Sequence, residues 1–511
     1  MYVKMLGATV VGVEGRLIEV EVNLSSGLPQ IAIVGLPDPA VRESVERVRA
    51  AIQNGGMKFP LDRITVNLAP ADMRKEGTAF DLAIAAGILG ASGQLPEPPP
   101  DGTLLVGELS LSGEVKPVPG VLPMVERARK EGLKRVVVPR ACVAEASLIE
   151  GIQVVGIGSL QEWIQGGEDA YVSREENGVR TSGGFPGFAL NGTEPDLSDV
   201  IGQHHGKRAL LIAAAGMHNV LFVGPPGTGK TMLCRRLPSL LPPLDDEEAL
   251  AVTKIYSVSG KLQGERQGLI RERPFRSPHH SVSAAGLIGG GSVPKPGEAT
   301  LAHHGVLFLD EMPEFPRAAL EALRQPLEER QVTIGRVRGA VSFPAHFMLA
   351  GSANPCPCGF WGSERPCTCS TLTVARYRAR MSGPLADRID LQAEMPRQAA
   401  PGAAGRGMSS AEGRALVAEA CERQQFRYRG SGIRWNSELF GKLLAQHAKL
   451  APEAEALLAN AYASLGLSFR AHDRILKLSR TIADLAGSDR ITEEHVAEAV
   501  RYRCLDTNVT G

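Results

Sequence analysis

Polar and apolar positions divide the chain into separable elements. Glu19-Val-Glu-Val22 alternates residue by residue, as a half-buried strand does, and Ile31 to Val34 and Ile64 to Leu68 read as further strands. Between them Val41, Val45, Val48 and Ile52 recur at helical spacing and form one stripe. Asp38 is placed to cap that helix, Pro39 suits its first turn, and Gly55 follows as its stop. A second helix is expected near Phe80, a third near Val121, and Arg135-Val-Val-Val-Pro139 reads as a last strand. Residues 1–165 therefore form one α/β domain. Residues 166–190, with their Gly-Gly-Glu-Asp and Ser-Gly-Gly clusters, have the composition of a surface linker.

The second half follows a different plan. An apolar helix over Lys207–Ala215 leads into Val220–Val223, a run of four apolar residues that reads as a buried strand. Two more buried strands are expected at Val306–Leu309 and Phe347–Ala350, with a hairpin over Val332–Val341 between them. Residues 191–396 are taken as a second α/β domain, and the Pro-, Gly-, Ala- and Ser-rich residues 397–412 as another linker. From 413 to 511 the pattern is helical, over Ala454–Tyr462, His472–Leu485 and Glu493–Tyr502, with Thr492 placed to cap the last of these. The fold class is thus α/β multidomain with a C-terminal helical lid.

Length and charge narrow the functional classes. At 511 residues the chain exceeds one core, and three domains are the natural division. Lysine plus arginine and aspartate plus glutamate both total 56, so any nucleic-acid surface must be a local patch. Met1 to Val13 lacks a cleavage signature, and the longest apolar runs are too short for a bilayer, broken as they are by His218 and Asn219. Eight cysteines in so long a chain do not make a disulfide scaffold, and a cytoplasmic location without membrane contact is expected.

The strand Val220–Val223 runs into Gly224-Pro225-Pro226-Gly227-Thr228-Gly229-Lys230-Thr231, which matches the phosphate-loop pattern G-x-x-x-x-G-K-[ST]. A strand passing through a glycine turn into a helix directs backbone N–H groups at one point beside a positive helix end. Lys230 can reach the β- and γ-phosphates of ATP, and the Thr231 hydroxyl can ligate Mg²⁺. Downstream, Gly305-Val-Leu-Phe-Leu-Asp-Glu311 is an apolar strand ending in two carboxylates. Asp310 suits Mg²⁺ held through water, and Glu311 suits the polarising of an attacking water.

Three resemblances extend this reading. Lys75-Glu-Gly-Thr-Ala-Phe-Asp-Leu82, Gly107-Glu-Leu-Ser-Leu-Ser-Gly113 and Val118-Pro-Gly-Val-Leu122 resemble the proteolytic domain of Lon. The serine and lysine of that family's dyad fall at Ala79 and Leu122, which implies an inactive relative. Asp196-Leu-Ser-Asp-Val-Ile-Gly-Gln203, ahead of the phosphate loop, resembles the start of AAA+ ATPase modules. That likeness makes Asn354 the sensor 1 residue, with a turn asparagine before Pro355 as the alternative. It makes Arg388, in Ser382-Gly-Pro-Leu-Ala-Asp-Arg-Ile-Asp-Leu391, the arginine finger, with an ion pair to Asp387 or Asp390 as the alternative. Arg470, in Ser468-Phe-Arg-Ala-His-Asp-Arg474, becomes the sensor 2 residue. Finally, Phe275-Arg-Ser-Pro-His279, Pro296-Gly-Glu298, Leu323-Arg-Gln-Pro-Leu-Glu328 and Asn354-Pro-Cys-Pro-Cys-Gly359 resemble the magnesium-chelatase-like AAA+ family. With a Lon-like domain in front, the resemblance narrows to the YifB/ComM type. It implies a hexameric homo-oligomeric ring that moves single-stranded or branched DNA, with recombination proteins as partners. Protein remodelling or chelatase-like work is the alternative.

Two further clusters carry chemistry. Cys356-Pro-Cys358 and Cys367-Thr-Cys369 could give Zn²⁺ four thiolates, although C-x-C is tighter than the usual spacing and redox or free thiols remain open. His279, His280, His303 and His304 lie beside turns and are read as hydrogen-bonding residues rather than ligands. The candidate pore loops, Gly289–Pro296 and Ile334–Gly339, carry glycine, lysine and arginine but no aromatic residue. Lys295, Arg336 and Arg338 are therefore the candidate DNA contacts, the two arginines sharing one face of a strand.

Overall fold

The computed structural model describes residues 1–95, 100, 102–165, 195–262, 268–291, 293–336, 339–380, 385–397 and 407–503. The expected linker 166–190, most of the linker 397–412, and Arg338 lie outside the described residues. Contacts divide the chain into two compact units, Met1–Gly184 with Asp246–Arg271, and Phe185–Asp245 with Glu272–Gly511.

The first unit is built on a seven-stranded sheet in the order β3-β4-β2-β1-β5-β8-β9. Strands β1 (Tyr2–Val11) and β2 (Glu14–Ser25) form an antiparallel hairpin in which Val11 faces Glu14. The strands β3 (Gln30–Val34) and β4 (Arg63–Ala69) run parallel, on one side of this hairpin. On the other side lie β5 (Thr103–Leu105), β8 (Arg135–Pro139) and β9 (Gln153–Ile157). A short hairpin, β6 (Glu108–Leu109) with β7 (Val115–Lys116), comes between β5 and β8 in the chain. The helix Pro39–Asn54 starts as its sequence predicts, with the Asp38 carboxylate accepting from Val41 N at 2.7 Å. Its stripe of Val41, Val48 and Ile52 is buried against Leu82, Ile84 and Ile88 of the helix Asp81–Ala91.

One segment departs from the sequence boundaries. Residues 246–271 were assigned to the second α/β domain, yet they pack as part of the first unit. The helix Asp246–Val258 buries Ala249, Val252, Ile255 and Tyr256, and it lies along the helix Val121–Lys130. Lys254 Nζ sits 2.8 Å from both Glu14 and Glu126. Ser257 Oγ donates to Glu145 at 2.5 Å, and the same carboxylate accepts Leu122 N at 2.8 Å. Burial pushes the Glu145 carboxyl pKa up, against the lowering effect of these two hydrogen bonds. Burial also opposes charge on Lys254, but its hydrogen bonds to Glu126 and Glu14 prevail and hold its pKa above the ordinary value. The socket that takes the helix is therefore acidic and specific, and periodicity alone could not have shown which core it served.

The second unit carries an all-parallel five-stranded sheet, β11-β14-β17-β10-β18. In chain order its strands are β10 (Val220–Val223), β11 (Phe275–Arg276), β14 (Val306–Leu309), β17 (Met348–Ala353) and β18 (Leu391–Glu394). Two hairpins interrupt the series: β12 (Gly289–Gly290) with β13 (Lys295–Pro296), and β15 (Gln331–Arg336) with β16 (Gly339–Pro344). Sheets of this kind are covered on both faces, which explains apolar runs in place of alternation. Val220, Phe222, Val306 and Phe308 enter one core, whereas Leu221, Val223, Leu307 and Leu309 enter the other. The C-terminal helices, among them Ser410–Arg427, Pro452–Leu465, Phe469–Leu485 and Glu493–Arg501, share the first of these cores. The helical region is thus continuous with the sheet. Among the described residues, no helix is long and apolar enough to cross a membrane.

Replacing Lys254 with methionine removes the cation that Glu14 and Glu126 share. The expected cost is on the order of 2 kcal/mol, a value discounted because Glu14 is exposed. Urea unfolding followed by probes in the first unit measures it, and an unchanged transition would separate the helix from that unit's stability.

Candidate functional site

The phosphate loop follows β10 directly. Gly224 N donates to Ala353 O at 3.1 Å, and a Cβ at Gly224 would lie 2.3 Å from Met395 O, so no larger residue fits. Gly227 and Gly229 take φ of 78° and 86°, values that favour glycine and turn the backbone into the helix Lys230–Leu240. Lys230 Nζ donates to Gly224 O at 2.6 Å, Pro225 O at 2.8 Å and Asn354 Oδ1 at 3.3 Å. Burial lowers its pKa to about 8, against the opposing charges of Asp310 and Glu311. Thr231 Oγ1 donates to Asp310 Oδ1 at 3.1 Å. Lys230, Thr231, Asp310, Glu311 and Asn354 are all carried at or just beyond the C-terminal ends of β10, β14 and β17.

Ser352 joins this group without having been singled out in the sequence. Its hydroxyl donates to Asp310 Oδ1 at 2.5 Å and accepts Glu311 N at 3.0 Å. Glu311 has a φ of 51°, a left-handed conformation that is rare for a residue with a side chain. Ser352 thus ties the Asp310 carboxylate to the backbone turn at Glu311. Its position near the end of the strand that leads into Asn354 was the available signal.

Arg388 and Arg470 are not brought to this group. The turn Ala386–Arg388 precedes β18, next to Asn219, whose Nδ2 donates to Arg388 O at 2.8 Å. Because β18 runs parallel to β10, this is the opposite end of the sheet from the phosphate loop. Four strand residues span roughly 13 Å. The Arg388 side chain is buried and pairs with Glu328, rather than with Asp387 or Asp390. Asp387 stands 3.8 Å from Arg470, and Asp390 contacts His218 and Arg474, each at 3.2 Å.

The four cysteines converge. Cys356 Sγ lies 3.4 Å from Cys358 and 3.7 Å from Cys367, and all four sulfurs fall within 4.8 Å of one another. Sulfurs about 2.3 Å from one tetrahedral ion stand roughly 3.8 Å apart, so the donor set fits Zn²⁺. Trp361 N donates to Cys356 Sγ at 3.3 Å and Cys369 N to Cys367 Sγ at 3.4 Å, contacts that suit thiolates. The histidines behave differently. His303 Nδ1 accepts His346 N at 3.0 Å, and burial drives the pKa of His303 well below the ordinary value. Lys295 is exposed at the tip of its hairpin, and a Cβ at Gly289 would lie 3.3 Å from Ile334 Cδ1, which places the two hairpins side by side. Arg336 closes β15. In the first unit Ala79 and Leu122 are buried in one apolar cluster, and neither side chain carries a nucleophile or a base.

Known proteins match the chain over most of its length. A family model described as subunit ChlI of Mg-chelatase matches residues 20–142, magnesium chelatase subunit ChlI matches 196–402, and the ChlI C-terminal model matches 407–503. The competence protein ComM of Haemophilus influenzae is 43% identical over 500 residues, covering 97% of this chain and 96% of that protein. The uncharacterised protein YifB of Escherichia coli is 42% identical over 502 residues, with the same coverage of 97% and 96%. Lon protease 2 of Bacillus subtilis is 30% identical over 166 residues, 29% of each chain.

The depressed Lys230 pKa of about 8 yields a pH dependence with a definite sign. Bound phosphates favour the charged amine and raise its pKa, so above pH about 8 nucleotide binding takes up a proton, and affinity falls as pH rises. Phosphate itself has lost its last proton by then, since that pKa is about 6. Calorimetry at pH near 9 in two buffers of different ionisation enthalpy should show uptake approaching about one proton. Equal heats in both buffers would contradict the buried-lysine account.

Proposed function

The chain belongs to the YifB/ComM family of magnesium-chelatase-like AAA+ ATPases with an N-terminal Lon-like domain, and we propose that it works as an ATP-driven ring motor on DNA. The observation that carries this reading is the separation of Arg388 and Arg470 from the phosphate loop of their own chain. A guanidinium at the far end of a parallel sheet can serve a nucleotide only if that nucleotide belongs to another copy. A closed ring, with six copies as the proposed number, gives every loop such a neighbour.

In this mechanism the glycine turn and Lys230 hold the phosphates of ATP. Thr231 and Asp310 hold Mg²⁺, which shields the charge on the phosphates. Glu311 orients the attacking water, and Asn354, a hydrogen-bond partner of Lys230, contacts the terminal phosphate. Arg388 and Arg470 of one copy reach the terminal phosphate held by the next, where a planar, permanently charged fork suits the departing group. The four cysteines hold one structural Zn²⁺.

For the substrate, DNA is favoured over protein. In sequence the loops Gly289–Pro296 and Ile334–Gly339 carry Lys295, Arg336 and Arg338, and neither has an aromatic residue to grip a peptide. Balanced total charge requires a DNA-binding surface to be a local patch, as this one is. One relative covered almost end to end is named a competence protein, ComM. Helicase or branch-migration work in the cytoplasm, during recombination or natural transformation, is the proposed role. Remodelling of proteins, or chelatase-like work, is the competing outcome.

Two experiments test the reading. Lys230→Ala has a dead loop and an intact arginine, and Arg388→Ala the reverse. Each alone should lose turnover, the latter by something on the order of 10³-fold. Mixed rings should regain measurable ATPase at interfaces that pair a working loop with a working arginine, and silence despite co-assembly would reduce Arg388 to a structural partner of Glu328. Separately, forked DNA should stimulate hydrolysis, and replacing Arg336 and Arg338 together with alanine should lower the salt slope of DNA binding by about 2. An unchanged slope would turn attention to protein substrates.

A further inference from the structure

Between the end of β17 and the helix Thr371–Ala379, residues 355–370 form neither strand nor helix. This excursion is rich in glycine and proline, and most of its side chains are exposed or half-buried. Pro355, Cys356 and Gly359 are the exceptions, and Cys356 is fully buried. A segment with so little apolar core needs another source of order. Its four sulfurs supply one, because thiolates packed this closely repel each other until a cation lies between them.

The excursion is seated on the phosphate loop. Gly359, with φ of 84°, approaches Pro226 so closely that a Cβ there would lie 2.6 Å from Pro226 Cδ. Pro225, Pro226, Phe360, Ser363, Arg365 and Arg397 line one small cavity of about 100 Å³, so loop and excursion share a surface. The near end of the excursion is equally placed. Asn354, which accepts from Lys230 Nζ at 3.3 Å, is two residues before Cys356. Arg378 of the following helix donates to Pro355 O at 3.4 Å and fixes the same junction.

We propose that this cysteine module is a prop for the phosphate loop, so that nucleotide binding depends on the divalent, zinc-type cation the module holds. The inference rests on the reading that the four cysteines bind zinc, and it adds that the metal acts on the nucleotide site through Gly359 and Pro226. The cation does not touch ATP. It fixes the knuckle Cys356–Gly359, and that knuckle limits where the proline end of the loop can move.

The full chain tests this with three measurements: zinc content, affinity for a fluorescent ATP analogue in excess Mg²⁺, and circular dichroism. A zinc-selective chelator should remove about one zinc per chain and weaken analogue binding about tenfold or more, with folded content unchanged and binding restored by added zinc. Gly359→Ala should keep its zinc yet bind the analogue several-fold more weakly, because the added methyl displaces Pro226. Lys230→Ala should keep its zinc and lose binding, which shows that the metal does not depend on nucleotide. Zinc removal without loss of analogue binding overturns the prop while leaving the metal site standing, as does Gly359→Ala with normal affinity. Protein that holds no zinc even after reconstitution overturns the metal site and the prop together.

Discussion

The ATPase unit depends on the parallel alignment of β10 with β17 and β18. Parallel strands put all their C-terminal ends on one side, so the loop after β10, the carboxylates after β14 and the asparagine after β17 meet without any contact in sequence. The same rule sends whatever precedes β18 to the other side. Arg388 and its neighbours are held there as firmly as Lys230 is held here. One geometric constraint therefore gathers the residues around the phosphate loop and sets Arg388 apart from them.

That far side is not loosely built. His218 Nδ1 lies 3.2 Å from Asp390, and its Nε2 lies 2.7 Å from Thr481 Oγ1 on the helix Phe469–Leu485. Asn436 extends the chain of contacts, donating to Thr481 at 3.0 Å and to Asp484 at 2.9 Å. Asp484 also receives Arg427 and Arg480. Burial raises the pKa of Asp390, but His218 and Arg474 hold the carboxyl at about 2. A buried polar network of this kind ties the strand ends to the helical region more specifically than apolar packing does. These contacts join that helix to the strand end that follows Arg388.

The parts that were legible in the sequence are those whose cause is local. The phosphate loop, its flanking strand and helix, and the strand ending in Asp310 and Glu311 each follow from residues within a few positions of one another. The Asp38 cap and the stripe from Val41 to Ile52 are of the same kind. What escaped was partner choice across long separations. Arg388 had two carboxylates nearby in sequence, yet Glu328, sixty residues earlier, takes it. His218 looked like an interruption in an apolar run and is instead the centre of a buried network. The helix Asp246–Val258 falls inside the stretch read as the second α/β domain, and the carboxylates that select its location, Glu14, Glu126 and Glu145, belong to distant segments. The Lon-like resemblance located Ala79 and Leu122, and it could not show that Ser257 reaches the turn just before Leu122, where Gly120 N donates to Ser257 O at 3.1 Å.

The helix Asp246–Val258 also bears on the order in which the protein can be made. Synthesis proceeds from the N-terminus, and domains usually fold as they emerge. Here the first unit lacks a piece that is translated only after the phosphate loop has been made. Until residue 271 appears, Glu126 and Glu145 sit in a half-buried acidic socket with no lysine or serine from the later segment to meet them. The nascent N-terminal unit thus waits, incomplete, through the synthesis of the first part of its neighbour. Completion of one unit is scheduled by the other, and a gene cut between the two halves would separate a fold from part of itself.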